Sequence, residues 1–159
     1  MTAGLEAAIF SVPGLGVDDL AAVFTLDSAH TGVTINEIFH QSVLIFAFPL
    51  FCCHTLKLAA DADHHTSLTY DPYTSQLTLD RSHAGSRADI VHTRSCKVRS
   101  QNGALKLRIL LDKNSVEVFV NDGEQTMTAW IYTPQSADGI TFAADGKATV
   151  TAEQFELNL

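Results

Sequence analysis

The segment from Leu105 to Tyr132 alternates between apolar and polar side chains, and it constrains the fold more than any other part of the chain. Every second residue is apolar in three successive runs: Leu105, Leu107, Ile109 and Leu111; Val116, Val118 and Val120; Met127, Ala129 and Ile131. A period of two places one set of side chains on one face of a β-strand. Polar residues 112–115 and 121–124 separate the runs, and the second group contains Asp-Gly, a strong hairpin signal. We therefore predict three antiparallel strands joined by two tight turns.

Turn residues recur along the last hundred residues at intervals of roughly 8–12 residues, which is typical of an all-β sandwich or barrel. The turn at 71–74 contains Pro72 and separates "TSLTYD" from "SQLTLDRS". Further strands are predicted in 90–98 and 139–143. Asp145-Gly146 is predicted to be another hairpin turn, after which the chain alternates to its end.

The first sixty residues carry weaker signals. We interpret 12–19, "VPGLGVDD", as a loop, and 31–35 as a strand. Residues 20–26 fit either a short helix or an edge strand. Residues 43–53, "VLIFAFPLFCC", form the most apolar run, but they are too few to cross a bilayer as a helix. Because Pro49 interrupts this run, we interpret it as a buried strand pair, and no membrane partner is expected.

Length, net charge and cysteine content narrow the class of protein. A length of 159 residues predicts one domain, and a net charge of −8 argues against nucleic-acid binding. Three cysteines, two of them adjacent, do not make a disulfide framework, and the N-terminus lacks the basic start of a signal peptide, so a cytoplasmic location is predicted. Seven of the ten basic residues lie between Arg81 and Arg108. They indicate either an anion- or protein-docking surface or solvated strand faces paired with acids.

Four carboxylates lie within the alternating segment: Asp112, Glu117, Asp122 and Glu124. The two aspartates already have a role as turn residues. Glu117 lies in mid-strand, where it is either catalytic or part of a framework ion pair with Arg81 or Arg108.

Metal ligands are the other chemistry considered. Asp61 to His65 and Cys52-Cys53-His54 lack the usual zinc-ligand spacings, so neither a metal nor another cofactor is expected. The sequence also contains no nucleophile elbow and no phosphate-binding loop.

Three segments resemble the C-terminal module of glycoside hydrolase family 32, which includes invertases, levanases, inulinases and sucrose-6-phosphate hydrolases. They are "LTLDRSHAG" from Leu77, "LRILLDKNSVEVFVNDGEQTMTAWIY" from Leu107 and "GITFAADGKATV" from Gly139. Lys113 and Asn114 depart from the family's usual Arg and Ser, and Thr133 is inserted before Pro134. The resemblance covers 59–159, whereas 1–58 match poorly and are predicted to hold the first strands and a linker. It assigns a structural role to Asp80, Arg81, Asp112, Ser115, Glu117, Phe119, Asn121, Asp122 and Gly123.

The resemblance implies a sandwich of two antiparallel, roughly six-stranded sheets, a lectin-like jelly roll, packed on a five-bladed catalytic propeller. The propeller motifs Asn-Asp-Pro-Asn-Gly, Arg-Asp-Pro and Glu-Cys do not occur in this sequence. We therefore expect no catalytic residue and no hydrolysis by this chain alone. The resemblance implies a non-catalytic module that stabilises, docks or oligomerises, with a propeller domain or a second copy as partner.

The alternative is a stand-alone lectin-like module that binds a fructoside or another carbohydrate. Trp130 and Tyr132 share one strand face with two threonines and would form its aromatic platform. The competing interpretation places Trp130 between the sheets, as part of the core.

Overall fold

The computed structural model describes residues 8–10, 20–26, 31–35, 42–85, 91–99, 102–146 and 148–156. Their secondary structure consists of β-strands and one 3₁₀ turn, Asn121–Gly123. The strands are β1 Ala8–Phe10, β2 Leu20–Leu26, β3 Thr31–Ile35, β4 Ser42–Pro49, β5 His54–Ala60, β6 His65–Asp71, β7 Gln76–His83, β8 Thr93–Lys97, β9 Ala104–Leu111, β10 Ser115–Val120, β11 Gln125–Trp130, β12 Gly139–Ala144 and β13 Ala148–Glu156. Among these residues there is no helix with the length and apolarity needed to cross a membrane.

The strands of the described residues form two antiparallel sheets. Sheet A has seven strands in the order β1-β2-β13-β4-β9-β10-β11, and sheet B has six in the order β3-β12-β5-β6-β7-β8. The predicted all-β, two-sheet sandwich is therefore confirmed. The three predicted hairpins β6–β7, β9–β10 and β10–β11 are also present.

The core lies between the sheets and follows from the alternation in the sequence. Along β9 the residues Leu105, Leu107, Ile109 and Leu111 are buried, while Lys106 and Arg108 are exposed. Phe46 of β4 and Phe142 of β12 stack across the two sheets with ring centroids 6.2 Å apart. Each fully buried side chain of this size contributes about 1.5–3 kcal/mol relative to an exposed one, so the shared core joins the sheets into one unit.

Two predictions about the N-terminal part need correction. Residues 43–53 are not a strand pair, because β4 ends at Pro49, the chain turns, and β5 begins at His54 in the other sheet. Proline has no N–H to continue a ladder, which fits its position at the end of β4. Leu20–Leu26 is a strand, as one alternative proposed, but it lies inside sheet A between β1 and β13 and not at the edge. The predicted strand at Thr31–Ile35 is confirmed.

The first sixty residues supply strands to both sheets, since β1, β2 and β4 belong to sheet A, and β3 and β5 to sheet B. The predicted loop at 12–19 lies outside the described residues. The division of the chain at residue 58 stays a prediction.

The predicted hairpin at Asp145-Gly146 is wrong. It connects β12 in sheet B with β13 in sheet A, so the chain crosses between the sheets there. Asp145 fixes this crossing to the one between β4 and β5: its N–H donates to the Cys53 carbonyl at 3.1 Å, and its Oδ1 accepts from the Cys53 N–H at 2.8 Å. An Asp-Gly pair favours a reversal of the chain, but the partner of each flanking strand decides whether the reversal stays within one sheet.

Candidate functional site

Asp112, Glu117 and Asp122 of the alternating segment do not form a catalytic pair. Asp112 lies in the turn before β10 and Asp122 in the turn after it, so the six residues of β10 separate them by about 20 Å at 3.3 Å per residue. Glu117 lies halfway between them. A retaining glycosidase needs about 5–5.5 Å between its two carboxyl groups, so this arrangement offers no such site.

Two turn residues of the family motif, Asp112 and Asn121, make hydrogen bonds to neighbouring backbone groups. Asp112 accepts a hydrogen bond from the N–H of Lys113 at 2.7 Å, and its own N–H donates to the carbonyl of Ser115 at 2.9 Å. Asn121 is buried and accepts from the Lys106 N–H at 3.2 Å. Its side-chain amide donates to the Arg99 carbonyl at 3.0 Å. These contacts give Asp112 and Asn121 a structural explanation that needs no ligand.

Among the described residues, the predicted ion pair of Glu117 with Arg81 or Arg108 is not found. Glu117 is half-buried on the outer face of sheet A, opposite Leu110 on β9 and Thr128 on β11. Arg108 lies over the ring of Phe119, with its guanidinium carbon 5.2 Å from the ring centroid. In the described part of the chain, neither Arg108 nor Arg81 forms an ion pair with Glu117.

Arg81 instead joins the two sheets along one side of the sandwich. It is only 8% exposed, and its guanidinium donates to the backbone carbonyl of Trp130 and, at 3.4 Å, to that of Val91. Just beyond it, the N–H of Tyr132 donates to the carbonyl of Ala84 at 3.0 Å. We call this arrangement, residues 81–85 held against 130–132, the clasp. Sequence reasoning missed it because its acceptors are backbone carbonyls, which any residue carries.

Gly85 completes the clasp. Its φ is +64°, and a Cβ at this position would overlap the backbone carbonyl of Tyr132. Glycine adopts this left-handed conformation without the steric cost that other residues meet. Only glycine therefore lets the two backbones approach this closely.

The clasp presents two aromatic side chains to solvent. Trp130 is 64% exposed and Tyr132 is 41% exposed. The interpretation that Trp130 packs between the sheets is wrong, because Met127, Ala129 and Ile131 are the inward-facing, buried residues of this segment. The outward position of Trp130 instead agrees with the aromatic platform that the alternative function requires.

Sheet A carries a second feature on the same outer face, at the end where β4 finishes. A shallow groove of about 610 Å³ opens there, and its lining residues are Ala47, Phe48, Pro49, Phe51, Gly103, Ala104, Thr149 and Thr151. Phe51 is 70% exposed beside it. We call this the β4 groove. Half of its lining residues belong to the apolar run 43–53. The sequence identified that run but did not indicate where it lies in the fold.

The histidine and cysteine motifs do not assemble a metal site in the described part of the chain, where no group of three or more potential ligands is found. Burial, and after it the negative charge of Asp145, raises the pKa of the Cys52 and Cys53 thiols, which disfavours a reactive thiolate. His54 is buried, and its Nε2 donates to the Pro49 carbonyl at 2.6 Å.

His65 and His83 stack across β6 and β7 with centroids 4.8 Å apart. Burial, and after it the charges of Lys57 and His83, lowers the pKa of His65. The stacked arrangement therefore disfavours the protonated form of His65, because burial removes water from its charge and nearby positive charge repels it.

The described basic residues between Arg81 and Arg108 lie on strands of both sheets and at their ends. Lys106 pairs with Asp122 at 2.9 Å, and Lys97 donates to the Thr74 carbonyl at 2.6 Å. Arg99 lies 3.9 Å from Glu124. These contacts favour the interpretation of solvated strand faces with local partners over that of an anion-docking surface.

Comparison with known proteins places this geometry in a family. Residues 53–158 match the family model described as "Glycosyl hydrolases family 32 C terminal". The chain is 37% identical over 84 residues to a sucrose-6-phosphate hydrolase from Staphylococcus xylosus, covering 53% of this chain and 17% of that protein. It is 34% identical over 99 residues to a levanase from Bacillus subtilis, covering 59% of this chain and 15% of that protein.

The fold has counterparts among solved structures. The exo-inulinase from Aspergillus awamori superposes with a TM-score of 0.73 over 96% of this chain and 35% of that one, at 22% identity. A likeness at this identity shows the fold alone, whereas the family model matches most of the chain. The chain spans less than a fifth of the length of the two curated relatives. It belongs to the family of C-terminal domains of glycosyl hydrolases family 32.

Proposed function

We propose that this chain is the non-catalytic β-sandwich module of a β-fructofuranosidase-type glycoside hydrolase, and that it docks on and stabilises the catalytic propeller domain. Family membership and the names of the relatives support the enzyme class. The dispersed carboxylates support a non-catalytic role. The small share of the relatives' length that this module spans leaves room for a separate catalytic domain.

The observation that carries the docking role is the outer face of β4. Val43, Ile45 and Ala47 are half-buried on that face, while Leu44, Phe46 and Phe48 fill the core on the other. A strand with apolar side chains on both faces is typical of a sheet that is covered on both sides. The β4 groove continues this surface. We assign the catalytic domain as its occupant because the relatives carry the additional polypeptide in the same chain.

Mixing this chain with a family catalytic domain made without its own C-terminal module tests the proposal. We expect a complex in size-exclusion chromatography with light scattering, and we expect Phe51→Asp to weaken it by at least about tenfold, since a buried charge would replace an apolar contact. Tyr73→Asp is the matched control, because Tyr73 is 93% exposed in the β6–β7 turn of sheet B and is not among the residues that line the groove. Complex formation unchanged by Phe51→Asp would contradict docking at the groove.

The same experiment separates docking from self-association, which the sequence led us to expect. A dimer of this chain alone that Phe51→Asp converts to a monomer would assign the groove to a second copy instead. A dimer that persists in Phe51→Asp would form through another surface. The docking role would then be tested by complex formation between this chain and the catalytic domain.

The chain alone is expected not to hydrolyse sucrose, sucrose 6-phosphate or levan. A reducing-sugar assay on the purified protein checks this. Turnover that is lost in Glu117→Gln would make Glu117 catalytic and reject the non-catalytic role.

A second candidate function, carbohydrate binding, is favoured by one specific observation. Trp130 and Tyr132 are exposed beside each other on a fixed segment, as a sugar-stacking platform requires.

A further inference from the structure

We propose that the outer face of β10–β11 binds an uncharged oligosaccharide, with Trp130 stacking on a sugar ring and with Thr128 and Glu117 hydrogen-bonding to its hydroxyl groups. This rests on carbohydrate binding, the second candidate function, and adds to it the ligand class and the polar residues of the site. It gives Glu117 a role other than the predicted ion pair with Arg81 or Arg108, which the described residues do not form.

The register of the two strands places these groups in one patch. Trp130 lies directly opposite Ser115, and Thr128 lies directly opposite Glu117. Directly paired residues have Cβ atoms about 5 Å apart, and diagonal ones such as Trp130 and Glu117 about 7–8 Å. An indole face, two hydroxyl groups and a carboxylate therefore share an area the size of one or two sugar rings.

The platform is fixed before any ligand arrives. The guanidinium of Arg81 donates to the Trp130 carbonyl on one side of the segment, and on the other the N–H of Ile131 donates to the Asn114 carbonyl at 2.8 Å. The N–H of Tyr132 is held by Ala84. Because the backbone under the aromatic side chains is already fixed, binding has to order only the side chains themselves, which lowers the entropic cost of binding.

The charges around the patch favour a neutral ligand. Glu117 is an acceptor for sugar hydroxyl groups but would repel a phosphate. Of the cations on the same outer face in the described strands, Arg108 lies over Phe119 and Lys106 pairs with Asp122, and the turn beside the patch adds Lys113 next to Asp112. The chain as a whole carries −8. A sugar phosphate would thus meet a carboxylate where it needs a cation.

The patch and the β4 groove lie at opposite ends of sheet A. The groove opens where β9 begins at Ala104, whereas Trp130 pairs with Ser115, beside the other end of β9 at Leu111. The length of β9 separates them by roughly 20 Å. A module docked through the groove can therefore still hold a glycan, which would suit a polymeric substrate more than a disaccharide.

The chain contains one tryptophan, so its fluorescence reports on this site directly. We expect a neutral inulin-type fructo-oligosaccharide to shift the emission of Trp130 to shorter wavelength with saturation below about 10 mM. We expect no shift with sucrose 6-phosphate at the same concentration. No shift with the oligosaccharide would overturn the proposal, and an equal shift with the sugar phosphate would overturn the assignment to uncharged ligands.

Variants locate the site. Thr128→Val and Glu117→Gln are each expected to weaken binding by at least about threefold, whereas Thr126→Val, on the same strand face but opposite Phe119, should leave it unchanged.

Trp130→Ala, followed by calorimetry, should abolish binding without changing the complex with the catalytic domain. Loss of glycan binding in all variants including Thr126→Val would reject the site, because it would reflect disturbance of the whole face. A negative result here with docking intact would leave the docking role standing.

Discussion

Arg81→Met is expected to loosen the side of the sandwich that the clasp closes. Methionine retains most of the apolar stem of arginine but removes the guanidinium, which bridges β7 to the end of β11 through the Trp130 carbonyl. Because Arg81 is 8% exposed, water cannot readily replace the lost donor. The substitution therefore leaves a backbone carbonyl without its charged partner.

The expected loss is about 2 kcal/mol. A hydrogen bond from a charged donor contributes about 1.5–3 kcal/mol, and the second bond, to Val91 at 3.4 Å, is long enough to add little. Removing a buried charge offsets part of this loss, since the charge no longer has to be desolvated. For a domain of this length, about 2 kcal/mol corresponds to a Tm lower by roughly 4–8 °C.

Urea unfolding followed by circular dichroism measures the change. Arg94→Met is the control, because Arg94 is exposed on the neighbouring strand β8 and should cost less than about 0.5 kcal/mol. The competing model, an ion pair between Arg81 and Glu117, is tested by adding Glu117→Gln. The structure predicts that the two effects add within about 0.5 kcal/mol, so a larger coupling energy, or an unchanged midpoint for Arg81→Met, would refute the reasoning.

Two further predictions concern backbone strain and pH. Gly85→Ala should destabilise the fold by about 2 kcal/mol or more in thermal unfolding, since its Cβ would overlap the Tyr132 carbonyl. Gly103→Ala is the control, because its φ is also positive, at +76°, but the space around the new Cβ is open; it should cost about 1 kcal/mol. Burial lowers the pKa of His54 below its usual 6.5, so the unfolded chain takes up a proton first and stability is lost as the pH falls below about 6.5. Between pH 6.5 and 5, His54→Gln should flatten this slope by up to about 1.4 kcal/mol per pH unit, and an unchanged slope would assign the effect to other groups.

The sequence alone identified strands β9 to β11 and the side chains that share a strand face. The period of two in residues 105–132 predicted β9, β10 and β11, and the apolar members, such as Leu107, Val118 and Met127, lie together on the buried face. The turns at 112–115 and 121–124 were also readable, because turn residues act through local backbone conformation. These features depend on neighbours a few residues apart, which is the range over which a sequence pattern carries information.

The tertiary structure alone decided which strands become partners and which side chains meet. Asp145-Gly146 has the composition of a hairpin turn, but β12 and β13 lie in different sheets because each finds its partners far away in the chain. Alternation showed only that Trp130 shares a strand face with Thr128 and Tyr132. A period of two does not say which face of the strand is covered by the core. Arg81 reaches a backbone carbonyl 49 residues away, and a carbonyl has no signature in the sequence. The strands β9 to β11 and their turns could therefore be predicted from local sequence pattern, whereas the clasp and the candidate site arise from long-range packing.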